Sequence, residues 1–279
     1  MRKPDFVIIG AAKAATTWIQ VQLQANPAIY MPDAEPHFFS NEFEKGADHY
    51  LRWFSKSPNA ASVVGEKSAD YLADPDVPGR MAEMLPDARL VVQLRDPVER
   101  AYSDYKMFYR RGQVNERPEE YLSDPAGPQP RFLIDGLYGQ HLSRWFDHFP
   151  REQLLVLPYE EVTVDPIAMI EQVCDHIGAP ITIDHELAGK FENSSREMLL
   201  PLLIRRVMSP FKDTMRPLRG KTWFEQARSL LAKEVHYPAL DDSLRRRMAD
   251  FYREDIELTE RLTGLDLSAW RNPARTIAA

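Results

Sequence analysis

Between Asp5 and Trp18 the chain reads Asp-Phe-Val-Ile-Ile-Gly-Ala-Ala-Lys-Ala-Ala-Thr-Thr-Trp, and this stretch constrains the fold more tightly than any other. Phe6 to Ile9 is a short apolar run with the length and β-branched content of a buried strand. Gly10 punctuates it. A helical pattern then opens at Thr16-Thr17, continues through Trp18, Ile19, Val21 and Leu23, and closes at Asn26-Pro27. Strand, small-residue loop and helix together form an anion cradle, because free backbone N–H groups and the positive end of the helix dipole face the loop. Lys13 adds a full positive charge, and the Thr16 and Thr17 hydroxyls add two donors. The nucleoside-triphosphate pattern G-x-x-x-x-G-K-[ST] is not met. Counted from Gly10, Ala15 stands at the second glycine position and Thr16 at the lysine position, while Lys13 arrives three residues early. The competing reading of the loop alone is an ordinary strand-to-helix turn with a surface lysine.

Three further stretches carry chemistry. Arg89 to Leu94 is an apolar strand that ends in Arg95-Asp96-Pro97 and passes into a helix through Val98 and Ala101. Arg95 and Ser103 can therefore face one ligand, and a guanidinium fork with a hydroxyl donor suits a phosphate dianion. Val63-Val64 reads as a second short strand running into Gly65-Glu66-Lys67-Ser68, with Glu66 at the carboxyl edge where α/β sheets present functional groups. A carboxylate desolvated there can act as a base; a surface Glu-Lys pair is the alternative. Met31 to Ser40 is a Pro-punctuated loop holding His37, which could serve as a general base or pack beside Phe38 and Phe39.

Taken together, these segments resemble the sulfotransferases that use 3′-phosphoadenosine 5′-phosphosulfate (PAPS), in which a lysine precedes a Thr-Thr or Ser-Thr pair in the phosphosulfate loop. The resemblance runs from Phe6 to Trp270 and is most specific at the Lys13 loop and at Arg95 to Ser103. It implies a single α/β domain over residues 1–279, with a central parallel sheet flanked by helices in a P-loop nucleotide-kinase-like fold. It implies that Lys13, Ala14, Ala15, Thr16 and Thr17 surround the phosphosulfate and that Arg95 and Ser103 hold the 3′-phosphate. Tyr138, in a Gly-x-Tyr segment, would lie near the cofactor. Glu66 would remove the acceptor proton, as in the glycosaminoglycan sulfotransferases, with His37 in reserve. A basic loop that clamps the 3′-phosphoadenosine in relatives is best matched by Arg219 and Lys221, although the segment before Tyr237-Pro238 competes. Two positions depart from the family: Ala15 stands where glycine is usual, and Ala34 where a lysine is frequent.

The implied reaction moves a sulfuryl group from PAPS to a hydroxyl or amine of a carbohydrate or small-molecule acceptor, leaving 3′-phosphoadenosine 5′-phosphate (PAP), with no metal. An ATP-dependent small-molecule or nucleotide kinase is the alternative enzyme, and a non-catalytic nucleotide-binding protein is the alternative outside enzymes.

Composition narrows the setting. A net charge of −7 disfavours wholesale nucleic-acid binding. The basic segment 196–238 stands apart: between Arg196 and Glu234, nine Lys/Arg face four acids, net +5. Residues 199–221 within it could touch an anionic acceptor or a membrane surface. The single Cys174, among apolar helix positions, excludes an internal disulfide and suggests a buried packing role. No apolar run is long enough to cross a bilayer, and the first strand begins too early for a signal peptide. The chain reads as cytoplasmic and complete. Residues 240–270 form an amphipathic helix stopped by Gly264, with a tail that packs back through Leu267 and Trp270, as in bacterial sulfotransferase domains.

Overall fold

The computed structural model describes residues 2–58, 61–188 and 236–271, together with the backbone of 198–199 and 233–234. Five parallel strands form the central sheet: β1 (Phe6–Gly10), β2 (Ile29–Tyr30), β3 (Val63–Lys67), β4 (Arg89–Leu94) and β5 (Leu154–Pro158), in spatial order β2-β3-β1-β4-β5. After β1 the chain runs to the edge strand β2, returns inward through β3, and then adds β4 and β5 on the other side of β1. Such a reversal leaves a crevice at the carboxyl ends of the central strands.

The helices are α1 (Thr16–Gln24), α2 (Ala47–Leu51), α3 (Val77–Met84), α4 (Pro97–Arg110), α5 (Glu119–Leu122), α6 (Arg131–Ile134), α7 (Tyr138–Phe146), α8 (Tyr159–Val164), α9 (Pro166–Ile177), α10 (His185–Ala188) and α11 (Asp242–Thr263). A two-residue antiparallel pair, β6 (Met198–Leu199) with β7 (Lys233–Glu234), stands apart from the sheet.

Strand alternation divides the interior in two. Phe6 and Ile8 point to the side covered by α1 and α9, where they meet Ile19, Leu23, Ile170, Val173 and Cys174. Val7 and Ile9 point to the other side, into a larger core with Met81 of α3, Ala101 of α4, Trp145 of α7 and Tyr252 of α11. Cys174 is fully buried, as expected of a packing thiol. Gly65 lies in β3 because a Cβ there would come within 2.2 Å of the Phe6 ring.

Local chemistry fixes the helix ends. Asp96 caps α4 by accepting from Val98 N at 2.8 Å and Glu99 N, with Pro97 in the first turn. Asp165 and Pro166 start α9, and Gly178 ends it at φ 71°. Asp241 starts α11 and Gly264 ends it at φ 76°. This last helix packs on α7 and α4. From it, Asp255 accepts the Gly139 and Gln140 N–H groups at 2.8 and 3.0 Å, and a Cβ at Gly139 would strike the Asp255 carbonyl at 2.8 Å.

The Pro-rich span 117–130 reads from sequence as an irregular surface excursion, and all of it but Leu122 is exposed or half-buried. It is anchored by the four-residue α5, with Leu122 buried and Glu119 paired to Arg247 of α11 at 2.7 Å. Just ahead of it, Val114 is buried and Asn115 O accepts from Tyr105 Oη at 2.7 Å.

Candidate active site

The crevice is lined by the loop after β1 and by the ends of β3 and β4. Ala15 caps α1 with no side-chain hydrogen bond, which leaves first-turn N–H groups facing the loop. Lys13 is at φ 71° and Ala15 at φ 60°, both in the left-handed region that L-residues enter at a cost. The left-handed turn at Ala15 is the physical reason a glycine suits this position. Ala15→Gly should stabilise the protein by up to about 1 kcal/mol, less whatever chain entropy glycine adds, as read from urea midpoints. A lowered midpoint would mean that the alanine methyl contributes more by packing than its backbone loses to strain.

Lys13 is half-buried, and its Nζ lies 3.8 Å from Met107 Sδ. It forms no ion pair with the described residues. Burial depresses its pKa below the usual lysine range, helped by Arg110, Arg111 and Arg95 and opposed by Asp104. Arg95 extends from the end of β4, donates from Nη1 to Lys13 O at 3.3 Å, and lays its guanidinium over the Tyr159 ring at 4.7 Å. The Arg-Asp-Pro segment thus has two duties: Arg95 reaches the loop while Asp96 and Pro97 start the helix. Ser103 lies on α4 four residues before Met107, on the helix face whose Met107 sulfur meets Lys13 Nζ. Tyr138 is buried, and its hydroxyl donates to Arg95 O at 2.9 Å. It holds the Arg95 backbone rather than offering its hydroxyl to the crevice. Thr16 is buried and Thr17 exposed. Arg219 and Lys221 lie outside the described residues, as does nearly all of 196–235.

The two ends of the Glu66-Lys67 pair go opposite ways, because neighbouring strand residues face opposite sides of a sheet. Lys67 turns toward α1 and is almost fully buried. Its Nζ donates to Thr17 Oγ1 at 3.0 Å and pairs with Glu35 at 2.8 Å. Glu66 turns into the larger core and is 0% exposed. Its Oε1 accepts from Tyr50 Oη at 3.0 Å and Tyr71 Oη at 3.1 Å, and its Oε2 from Ser68 Oγ at 2.8 Å. Desolvation raises its pKa to about 7 against the pull of those three hydroxyls.

His37 is not packed among phenylalanines. Phe38 and Phe39 are buried, whereas the imidazole is 41% exposed. Nδ1 lies 2.7 Å from Asp70 Oδ1, and His37 N donates to Ser68 Oγ at 3.0 Å. Lys13 and the loop, Arg95, Glu66 and His37 are thus all brought to one edge of the sheet. Sequence reading assigned no role to Glu35, Lys67 or Asp70. The signal for Lys67 was strand alternation; for Asp70 none was available, since its partner is 33 residues away.

A family model described as Sulfotransferase family matches residues 37–183. The bifunctional heparan sulfate N-deacetylase/N-sulfotransferase 3 of Homo sapiens is 27% identical, over 96% of this chain and 31% of its own length. Heparan sulfate glucosamine 3-O-sulfotransferase 3B1 of Mus musculus is 30% identical, over 78% of this chain and 62% of its own length. The chain therefore spans less than two thirds of either relative. The crystal structure of a sulfotransferase from Alicyclobacillus acidocaldarius is similar at TM-score 0.69 and 25% identity, covering 98% of this chain and all of the other.

Proposed function

The chain belongs to the sulfotransferase family, and on that premise we propose that it transfers a sulfuryl group from PAPS to a hydroxyl or amine of a glycan or small-molecule acceptor. The observation that carries this reading is Lys13: a half-buried cation beside an uncapped helix N-terminus, in ion-pair contact with no carboxylate among the described residues. That combination fits an anionic group of high charge density. PAPS, when bound, supplies an electrophilic sulfur whose bond to the 5′-phosphate oxygen breaks with the electron pair staying on phosphate.

In this proposal Lys13 and the loop N–H groups stabilise the charge that accumulates on that phosphate, a preorganised electrostatic role. Lys13 takes the part that a divalent metal plays in phosphoryl transfer. Arg95 and Ser103 hold the 3′-phosphate, and Tyr138 keeps Arg95 in place from behind. Binding energy gathered at the 3′ end then orients the reacting end. The two heparan sulfate sulfotransferases to which the chain is similar support a carbohydrate acceptor without singling one out. The family match runs against the kinase alternative. We also propose a reducing, cytoplasmic setting, which agrees with the lone buried thiol of Cys174.

Calorimetric titration with PAP, and in parallel with ATP–magnesium, tests the donor. PAP should bind far more tightly than ATP–magnesium, and Arg95→Ala should weaken it by about 10- to 100-fold, the worth of a charge-assisted hydrogen bond. Preference for ATP–magnesium would overturn the sulfuryl-transfer reading.

A further inference from the structure

Two groups on the acceptor side can accept a proton, and they differ in access. Glu66 is enclosed at 0% exposure with both oxygens engaged by hydroxyl donors, whereas the His37 side chain is 41% exposed. Three non-glycine residues among those described have positive φ: Lys13, Ala15 and His37 at φ 49°. Two form the cradle. The third is this histidine, and backbone strain of that kind persists where the surroundings over-determine it.

Asp70 does much of the determining. Its Oδ1 meets His37 Nδ1 at 2.7 Å, and its Oδ2 accepts from Ser40 Oγ at 2.7 Å. A carboxylate only accepts, so Nδ1 carries the proton and the lone pair lies on Nε2. Glu35 Oε2 is 3.7 Å from Nε2, beyond hydrogen-bond length, and already accepts from Ala69 N at 3.0 Å. Nε2 therefore has its lone pair free and a carboxylate beside it to stabilise an imidazolium. Its nearness to the cradle is traceable: Glu35 Oε1 pairs with Lys67 Nζ at 2.8 Å, and Lys67 Nζ donates to Thr17 Oγ1 in the first turn of α1.

We propose that Asp70 is a positioning residue that fixes His37 in the tautomer whose Nε2 takes the acceptor's proton. The inference rests on the sulfuryl-transfer reading. The acceptor O–H or N–H bond breaks, its proton passes to Nε2, and its electron pair forms the bond to sulfur as the sulfur–phosphate oxygen bond opens toward Lys13. The charged groups facing the imidazole are Asp70, Glu35 and, behind Ser68, Glu66. The Asp70 hydrogen bond leads them in raising the imidazole pKa above its ordinary value, against partial burial.

The test is nitrogen-detected NMR of the His37 ring in the full chain, alongside the pH profile of inorganic sulfate release from PAPS with water as the acceptor. The neutral ring should be the Nδ1–H tautomer. Asp70→Asn, which keeps an acceptor for Ser40, should lower the imidazole midpoint, shift the acid limb of turnover down with it, and cut plateau kcat about tenfold or more at unchanged KM. His37→Gln should remove that limb and about 10²-fold of kcat. An Nε2–H tautomer or a midpoint unmoved by Asp70→Asn would overturn the positioning role. An acid limb that stays in place while the midpoint moves would overturn His37 as the base. The ring titration needs neither donor nor acceptor, so failure of PAP to bind would count against the donor reading and leave this one to be judged on the tautomer and midpoint.

Discussion

Lys13→Ala is expected to lower kcat for sulfuryl transfer by about 10²- to 10³-fold, the loss typical when one preorganised donor is removed from a site of developing charge. The folded protein should survive the change, because among the described residues Lys13 has no ion pair and its Nζ donates only to Met107 Sδ. Lys13→Met separates charge from packing, since it keeps most of the aliphatic stem. Both variants should lose turnover alike while thermal melting stays close to that of the parent. PAP affinity should fall less than kcat, because in the proposed binding mode Arg95 and Ser103 still hold the far end. Turnover near the parent value in either variant would remove Lys13 from the mechanism, and the cradle would then be a binding feature alone.

Glu66 should make the fold itself sensitive to pH. Its carboxyl has a pKa of about 7 in the folded protein, against 4.5 for an unperturbed glutamate. Between those values the folded state keeps a proton that the unfolded chain has released. Stability is therefore fully present below about pH 4.5 and is lost as pH rises through about 7, by roughly 3 kcal/mol. The cause is enclosure: the carboxylate form would be desolvated at 0% exposure, and three hydroxyl donors offset only part of that. Glu66→Gln fits the same three hydroxyls, which can rotate to accept as well as donate. Urea unfolding from pH 4 to 8 should show the parent losing stability relative to Glu66→Gln across this window. Parallel profiles would mean that Glu66 titrates as an ordinary exposed acid, and its enclosure would no longer separate it from His37 as a base.

Much of this arrangement was legible in the chain because local signals were strong. Phe6–Ile9 and Arg89–Leu94 are unbroken apolar runs, and both lie in buried parallel strands. Pro166 and Gly178 bracket α9 as the helix-end rules require. The Lys13 loop and Arg95 were found together, and Arg95 Nη1 does reach Lys13 O. What escaped was non-local or short. β2 is only Ile29–Tyr30, too brief for periodicity, and owes its existence to pairing with Val63 and Val64. The contacts of His37 with Asp70 and of Glu35 with Lys67 join residues some 30 positions apart, where no spacing rule applies. Glu66 was expected at a strand's carboxyl edge and lies there, but the Tyr50 and Tyr71 hydroxyls that enclose it come from α2 and from the turn after β3.

The grip of Asp255 on the start of α7 has a genealogical consequence. Tyr138, the residue just before Gly139, holds Arg95, so the Arg95 side of the crevice is braced through α7 by Asp255 of α11, 116 residues beyond Gly139. An exchange of the α11 segment between relatives would keep the start of α7, and with it Tyr138 and Arg95, in place only where the incoming helix brought an acid in register with Gly139, and only where Gly139 itself remained small enough to receive it.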